Sequence, residues 1–190
     1  ILSQSYLGKF EVILALGPSR DSTNEIARSL AAEDARVILV ENPSGRTAAG
    51  LNIALHASTQ DVVVRVDAHA EIPNNYLQLV VELLRESGAV NVGGVMGAEG
   101  ITFFETAVAA AMCSPFGVGG SRFHTGGKAG FVDTVYLGAF IRQAVVDAGG
   151  FDERFIRAQD WELNYRLRDN GGKIYFDPRP VSYTHLRAHE

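Results

Sequence analysis

Cys113 is the only cysteine among the 190 residues, so the chain can form no internal disulfide and no cysteine-rich zinc site. The five histidines lack the paired spacing of a structural metal site, and this cysteine usage fits a reducing compartment. Positive charge is also scarce. Lys and Arg number 17 against 22 Asp and Glu, a net charge of -5, and no basic run forms a stripe that could follow a phosphate backbone. Nucleic acid is therefore not an expected partner. Purely apolar stretches such as 107–113 fall far short of the ~20 residues needed to cross a bilayer. No signal peptide is visible and no transmembrane segment is expected in this chain. Nucleotide-binding loops of the common kinds are missing too. Gly117, Gly119 and Gly120 do not form the strand-to-helix glycine pattern of a dinucleotide site. Gly127-Lys128 lacks the upstream glycine, which is Arg122 here, and the Ser or Thr that a phosphate loop places after its lysine.

What is present is an ordinary globular composition, 46% hydrophobic and 21% charged, enough for one α/β domain with a real core. Residues 11–16 read as a buried strand ending at Gly17-Pro18. A helix follows, capped by Ser22 or Thr23, with Glu25 in its first turn and Ile26, Ala27, Leu30 and Ala31 at helical spacing. Residues 36–40 form the next strand, 45–57 a helix with Ala48, Leu51, Ala54 and Leu55 on one face, and 61–66 a strand ending at Asp67. Pro73 opens a helix that runs through Glu86, with Gly88 just past its end. This alternation predicts a doubly wound, mostly parallel α/β sheet.

Beyond it, glycine-rich residues 92–130 read as a long connection with one helix at 103–112. A strand at 134–140, a short helix at 142–148, a helix at 160–170 stopped by Gly171-Gly172, and a strand at 173–176 complete the pattern. No repeat or linker divides the chain. Residues 1–181 read as a single domain. Residues 182–190, polar and aperiodic, are expected to be a non-native or unstructured tail.

Ligands of a doubly wound sheet bind outside the carboxyl ends of its strands, and three polar clusters fall there. The turn 17–23 leads into a helix whose first N–H groups could face a nucleotide, although a capped helix start also explains it. Asp67-Ala68-His69 places a carboxylate and an imidazole two residues apart, on one side of a strand end, where they suit a divalent cation bridging a diphosphate. A surface turn is the other reading. Gln159-Asp160-Trp161-Glu162 opens a helix, where Asp160 is either an N-cap or a general base for an incoming hydroxyl.

The order of these clusters resembles the family 2 glycosyltransferases of the A-type, nucleotide-diphospho-sugar transferase fold, near the branch of bacterial succinoglycan-type exopolysaccharide synthesis. The likeness runs from about Glu11 to Tyr183. It implies that Ser19, Asp21 and Thr23 form the nucleotide turn, with Asn42, Gly45, Ala49 and Asn52 in the segment below it. It further implies that Asp67 and His69 hold a divalent cation, Mn²⁺ or Mg²⁺. Gly138, Ala139 and Phe140 match the acceptor loop, Asp160 the catalytic base, and Arg166 a position further along the base's helix. Two positions depart from the pattern. Gly17 stands where the family has Asp, and His69 replaces the last carboxylate of D-x-D, shifting the expected preference toward Mn²⁺. The family also has a strand before Glu11 and more chain after Tyr183.

The resemblance implies an inverting, metal-dependent transfer from a nucleoside-diphosphate sugar, with uridine diphosphate favoured, to a saccharide or lipid-linked saccharide. The expected location is the cytoplasm, at the inner face of the cell membrane, with the full-length protein membrane-associated. Asp160 would take the acceptor proton, and Glu162 could raise its pKa by like charge or serve as an ordinary helix-end charge. Trp161 is either an acceptor platform or a buried ring. A sugar-phosphate nucleotidyltransferase and a degenerate, non-catalytic sugar-nucleotide-binding module are the alternatives.

Overall fold

The apolar run after Glu11 forms β1 (Val12–Leu16), which pairs in parallel with β2 (Val37–Glu41), Val12 opposite Val37 and Leu16 opposite Glu41. A parallel pair needs a crossover, supplied by α1 (Thr23–Glu33). In this computed structural model, which describes residues 1–100, 102–112 and 122–186, β1 and β2 form a sheet of their own. The second sheet contains β3 (Val62–Val64), β4 (Ala70–Glu71), β5 (Asn91–Gly100), β6 (Gly130–Val132), β7 (Ala139–Ile141) and β8 (Ile174–Leu186). Its order is β3-β7-β5-β8-β4, with β6 also paired to β8.

The α/β class holds, but the strand directions are mixed. Within the second sheet only β5–β8 is parallel; β3–β7, β5–β7, β4–β8 and β6–β8 are antiparallel. Strand direction depends on the connection rather than on strand composition, so apolar runs alone could not reveal that β7 runs back between β3 and β5.

Helices cover both faces. On one side α2 (Thr47–Ala57), α6 (Arg142–Asp147) and α7 (Gln159–Asp169) bury Leu55, Val145, Leu163 and Leu167 against Phe140 and Phe176. On the other, α3 (Tyr76–Ser87) buries Tyr76, Val80 and Leu83 against Val92 and Ala139. Gly88 ends α3 in the left-handed conformation, φ 64°. Pro73 is not in that helix; its carbonyl accepts the Tyr76 N–H in the preceding turn, 3.0 Å. Among the described residues the other helices are α4 (Phe103–Met112) and α5 (Arg122–Thr125). In α1 only Ala27 is buried, while Ile26 is 58% and Leu30 38% exposed, because the two-stranded sheet supports one narrow face of the helix.

The largest correction is β5. Glycine weakens isolated strands, so 92–130 reads as a loop, yet a ten-residue strand begins it. Close approach selects the glycines. A Cβ on Gly94 would lie 1.7 Å from the Pro180 carbonyl oxygen, and the register shifts there between Gly93 and Val95, a bulge. Gly94→Ala is expected to destabilise the chain by about 3 kcal/mol, because backbone must move; urea unfolding measures it.

Two other expectations change. Residues 134–138 are not strand: Leu137 takes φ 43°, unusual for a branched side chain, and β7 starts only at Ala139. Residues 182–186, expected in a tail, continue β8, where Ala98 pairs Thr184 from one side and Ala70 from the other. Backbone pairing on two edges holds this segment without side-chain periodicity. Residues 187–190 lie outside the described residues, as do Cys113, Gly117, Gly119 and Gly120. A cavity of ≈ 550 Å³ separates the two sheets, lined by Val12, Ile13 and Leu14 on one side and Val62, Val63 and Val64 on the other.

Candidate active site

β3 ends at Val64, and the chain leaves it as an irregular segment whose Arg65 N–H still bonds the Gly138 carbonyl, 3.2 Å. The Arg65 side chain, only 9% exposed, joins two carboxylates that lie far apart in sequence. Its Nε donates to Asp67 Oδ1 at 2.8 Å and its Nη2 to Asp67 Oδ2 at 3.0 Å, while Nη1 donates to Asp160 Oδ1 at 2.7 Å. Charged side chains are almost never buried unpaired. Burial pulls the Arg65 guanidinium down, and the hydrogen bond to Asp67 with the charge of Asp160 more than offsets it. Sequence reasoning passed over this residue. A lone arginine inside the apolar run 62–66 was the available signal.

Asp160 sits in the first turn of α7, whose N-cap is Ala158 in the left-handed conformation, φ 60°. The N-cap reading of Asp160 is thereby corrected: its carboxylate turns to Arg65 instead of to the helix N–H groups. Burial raises the Asp160 carboxyl above the ordinary range, Arg65 pulls it back, and Asp67 pushes it up again. Glu162 plays no part in this. Both of its oxygens bond Arg166, at 2.5 Å each, and Arg166 also reaches the Ala148 carbonyl. Tyr136 was also missed. Burial raises its hydroxyl pKa, and Asp67 and Asp160 push the same way, which puts it within electrostatic reach of the pair.

A buried polar chain ties α7 to the sheet. Asn91 Nδ2 donates to Asn164 Oδ1 at 2.7 Å, and Asn164 Nδ2 donates to Thr134 Oγ1 at 2.9 Å, with both asparagines fully buried. This explains Gly138, where a Cβ would fall 2.2 Å from Asn91 Oδ1. Ala139 and Phe140 are 0% and 2% exposed, and Phe140 packs edge-on to Phe151. Their side chains are closed to solvent, while the Gly138 carbonyl accepts the Arg65 N–H at 3.2 Å. Trp161 is the open surface: 57% exposed and stacked on Tyr165 at 6.4 Å.

After β1, the Ser19 hydroxyl, the Thr23 N–H (3.0 Å) and the Thr23 hydroxyl (2.5 Å) all donate to Asp21 Oδ1. Those bonds hold the Asp21 carboxyl at a pKa of about 2. Asp21, not Ser22, satisfies the start of α1. After β2, Gly45 (φ 62°) donates its N–H to the Asn42 carbonyl, and Asn42 Nδ2 donates to the Arg46 carbonyl at 3.1 Å. The two turns touch, since a Cβ on Gly17 would lie 3.3 Å from Gly45 Cα. Ala49 is buried in α2. Asn52 does not join this group: its amide is bonded at both ends to the Phe151 backbone, 2.8 and 2.7 Å.

Asp67 and His69 lie in a turn, closed by the Ala70 N–H to the Asp67 carbonyl (2.9 Å), so strand alternation does not align them. Among the described residues no group of three or more His, Cys, Asp or Glu is arranged as metal ligands. The donor chemistry nonetheless fits a divalent cation. Asp67 already presents both oxygens to a positive group, and His69 is exposed two residues on.

The profile described as glycosyl transferase family 2 matches residues 1–146. The chain is 35% identical, over 179 residues, to the succinoglycan biosynthesis protein ExoA of Rhizobium meliloti (strain 1021), covering 93% of this chain and 54% of that protein. It is 23% identical over 187 residues to the dolichyl N-acetyl-alpha-D-glucosaminyl phosphate 3-beta-D-2,3-diacetamido-2,3-dideoxy-beta-D-glucuronosyltransferase of Methanococcus voltae, covering 94% of this chain and 58% of that one. The chain thus spans somewhat more than half the length of these relatives. Among solved structures, S. aureus TarS in complex with UDP-GlcNAc superposes with a TM-score of 0.72 at 17% identity, over 99% of this chain and 53% of that one. GalNAc-T7 with UDP, GalNAc and Mn²⁺ gives 0.70 at 13%, over 94% and 38%.

Proposed function

Since the chain belongs to glycosyl transferase family 2, we propose that it is the donor-binding and catalytic part of an inverting glycosyltransferase of polysaccharide biosynthesis. The donor is a nucleoside-diphosphate sugar, with uridine diphosphate favoured. The acceptor is a hydroxyl of a saccharide or lipid-linked saccharide. The observation that carries this reading is the convergence of Asp67 and Asp160 on one buried arginine.

Asp160 is the general base. The acceptor oxygen attacks the anomeric carbon from the face opposite the leaving group and gives its proton to the Asp160 carboxylate. The bond from the anomeric carbon to phosphate oxygen breaks, and the diphosphate leaves with the electron pair. Asp67 and His69 would hold a divalent cation, Mn²⁺ or Mg²⁺, whose chemistry there is Lewis-acid neutralisation of the diphosphate. Asp21, Ser19 and Thr23 shape the turn facing the nucleotide, and Asn42 and Gly45 brace it. Asn52 acts at a distance, through the loop at Phe151.

Trp161 and Tyr165 offer an exposed aromatic face one residue from the base, suited to a sugar ring. Trp161→Ala is expected to raise acceptor KM about tenfold, with the thermal midpoint unchanged because the ring is open to solvent. Steady-state kinetics against acceptor concentration measure it. The reading puts the reaction at the cytoplasmic face of the cell membrane. No helix of the described residues is long and apolar enough to cross a membrane.

Calorimetric titration of uridine diphosphate with Mn²⁺, with Mg²⁺ and with chelator tests the nucleotide site. Binding that requires the cation is expected. A folded chain that binds no uridine diphosphate under any of these conditions overturns the reading.

A further inference from the structure

Arg65 poses a problem for a cation site. Its Nε–Nη2 edge takes both oxygens of Asp67, the atoms that a divalent cation would need, while its remaining corner, Nη1, holds Asp160. The two attachments use different nitrogens, so the first can be released without the second. The side chain is 9% exposed and two carboxylates, 21% and 17% exposed, depend on it for neutralisation. Without the guanidinium, Asp67 and Asp160 would share a poorly solvated space with two negative charges and no counter-ion.

We propose that Arg65 is an internal counter-cation that closes the Asp67 carboxylate until a divalent cation and a nucleoside diphosphate arrive together, and then keeps Asp160 alone. A cation by itself must displace a bidentate guanidinium and gains only one carboxylate and one imidazole. A cation carrying a diphosphate brings its own oxygen ligands and acceptors of the opposite sign. The released Nε–Nη2 edge has two parallel N–H donors, the geometry that matches phosphate oxygens. Exchange is therefore favourable only with both ligands present, and Arg65 couples them. The side chain also keeps the base fixed through Nη1 throughout. This inference rests on the proposed donor site.

Its signature is a pair of opposite effects. Mn²⁺ binding is followed by the electron paramagnetic resonance signal of free Mn²⁺, near neutral pH, with and without uridine diphosphate. Wild type is expected to bind Mn²⁺ weakly alone and at least about tenfold more tightly with the nucleotide. Arg65→Gln should bind Mn²⁺ alone about tenfold more tightly than wild type and lose most of the gain from uridine diphosphate. Adding Asp67→Ala to that variant should abolish its tight Mn²⁺ binding. Arg65→Lys, which keeps the charge without the fork, covers the case in which the glutamine variant does not fold, and should likewise bind Mn²⁺ alone more tightly than wild type. Binding of Mn²⁺ alone by the folded variants no tighter than by wild type overturns the counter-cation role, even where wild type binds uridine diphosphate with Mn²⁺. Failure of wild type to bind uridine diphosphate with Mn²⁺ overturns the donor site itself, and this inference with it.

Discussion

Asp160→Asn is expected to lower turnover by about 10³-fold while leaving affinity for uridine diphosphate within about twofold. Asparagine keeps the shape and can still accept the Arg65 Nη1 hydrogen bond, but it cannot take a proton from the acceptor. Loss confined to kcat marks a group that acts in the transition state alone. The pH profile provides an independent check. Burial, with Asp67 adding to it and Arg65 opposing it, raises the Asp160 carboxyl, so the acid limb of activity should lie above the ordinary carboxylate range. Tyr136 lies within electrostatic reach of the pair, and burial raises its hydroxyl pKa, so it stays neutral through this range.

The stability effect of the same substitution has the opposite sign to the activity effect. A carboxyl whose pKa is raised on folding favours the folded state when protonated. That contribution is fully present below the ordinary carboxylate range and is lost as pH rises through the raised value. Near neutral pH the ionised Asp160 is therefore a net cost. The asparagine variant should melt no lower than wild type, a trade of stability for function seen at many active sites. Differential scanning calorimetry at neutral pH measures it.

Asp67→Ala should weaken binding of uridine diphosphate in Mn²⁺ by about 100-fold, because the cation loses its one carboxylate and the diphosphate loses the cation's charge. In chelator the variant should bind uridine diphosphate no more weakly than wild type, because removing Asp67 frees the Nε–Nη2 edge of Arg65. The contrast with Asp160 is informative: one substitution moves affinity and its cation dependence, the other moves turnover. Calorimetry resolves the two without knowledge of the acceptor.

Much of this site was legible in the sequence because strand ends followed by polar turns mark the ligand side of a doubly wound sheet. Asp67 stands out in this way, whereas Asp160 is marked by its place at the opening of a helix and by the family resemblance. What linked them was not found, because Arg65 belongs to the strand pattern that was read only for its apolar residues. The glycine at 138 signals close approach, and the approach seen is to Asn91 Oδ1, a contact 47 residues away that no local pattern encodes. Asn52 sits at helical spacing from Ala48, yet its partner is the Phe151 backbone, 99 residues away, and no local pattern encodes such a contact.

In the fold, β5 and β8 escaped notice in whole or part. Their pairing uses glycine, proline and backbone contacts instead of alternating apolar side chains. Local propensity is weak evidence where neighbouring strands leave no room for side chains. The strands with β-branched sequences, β1, β2 and β3, were all anticipated, although β3 is shorter than its apolar run.

The most direct test of the account is the stereochemistry of slow donor hydrolysis, in which water takes the acceptor's place. Proton NMR, recorded on an α-linked uridine-diphosphate sugar that the protein turns over, resolves the anomer released before mutarotation. A single displacement with Asp160 as base predicts the β-anomer first, and an Asp160→Asn control that releases almost none. Release of the α-anomer, or undiminished release by the control, would contradict it.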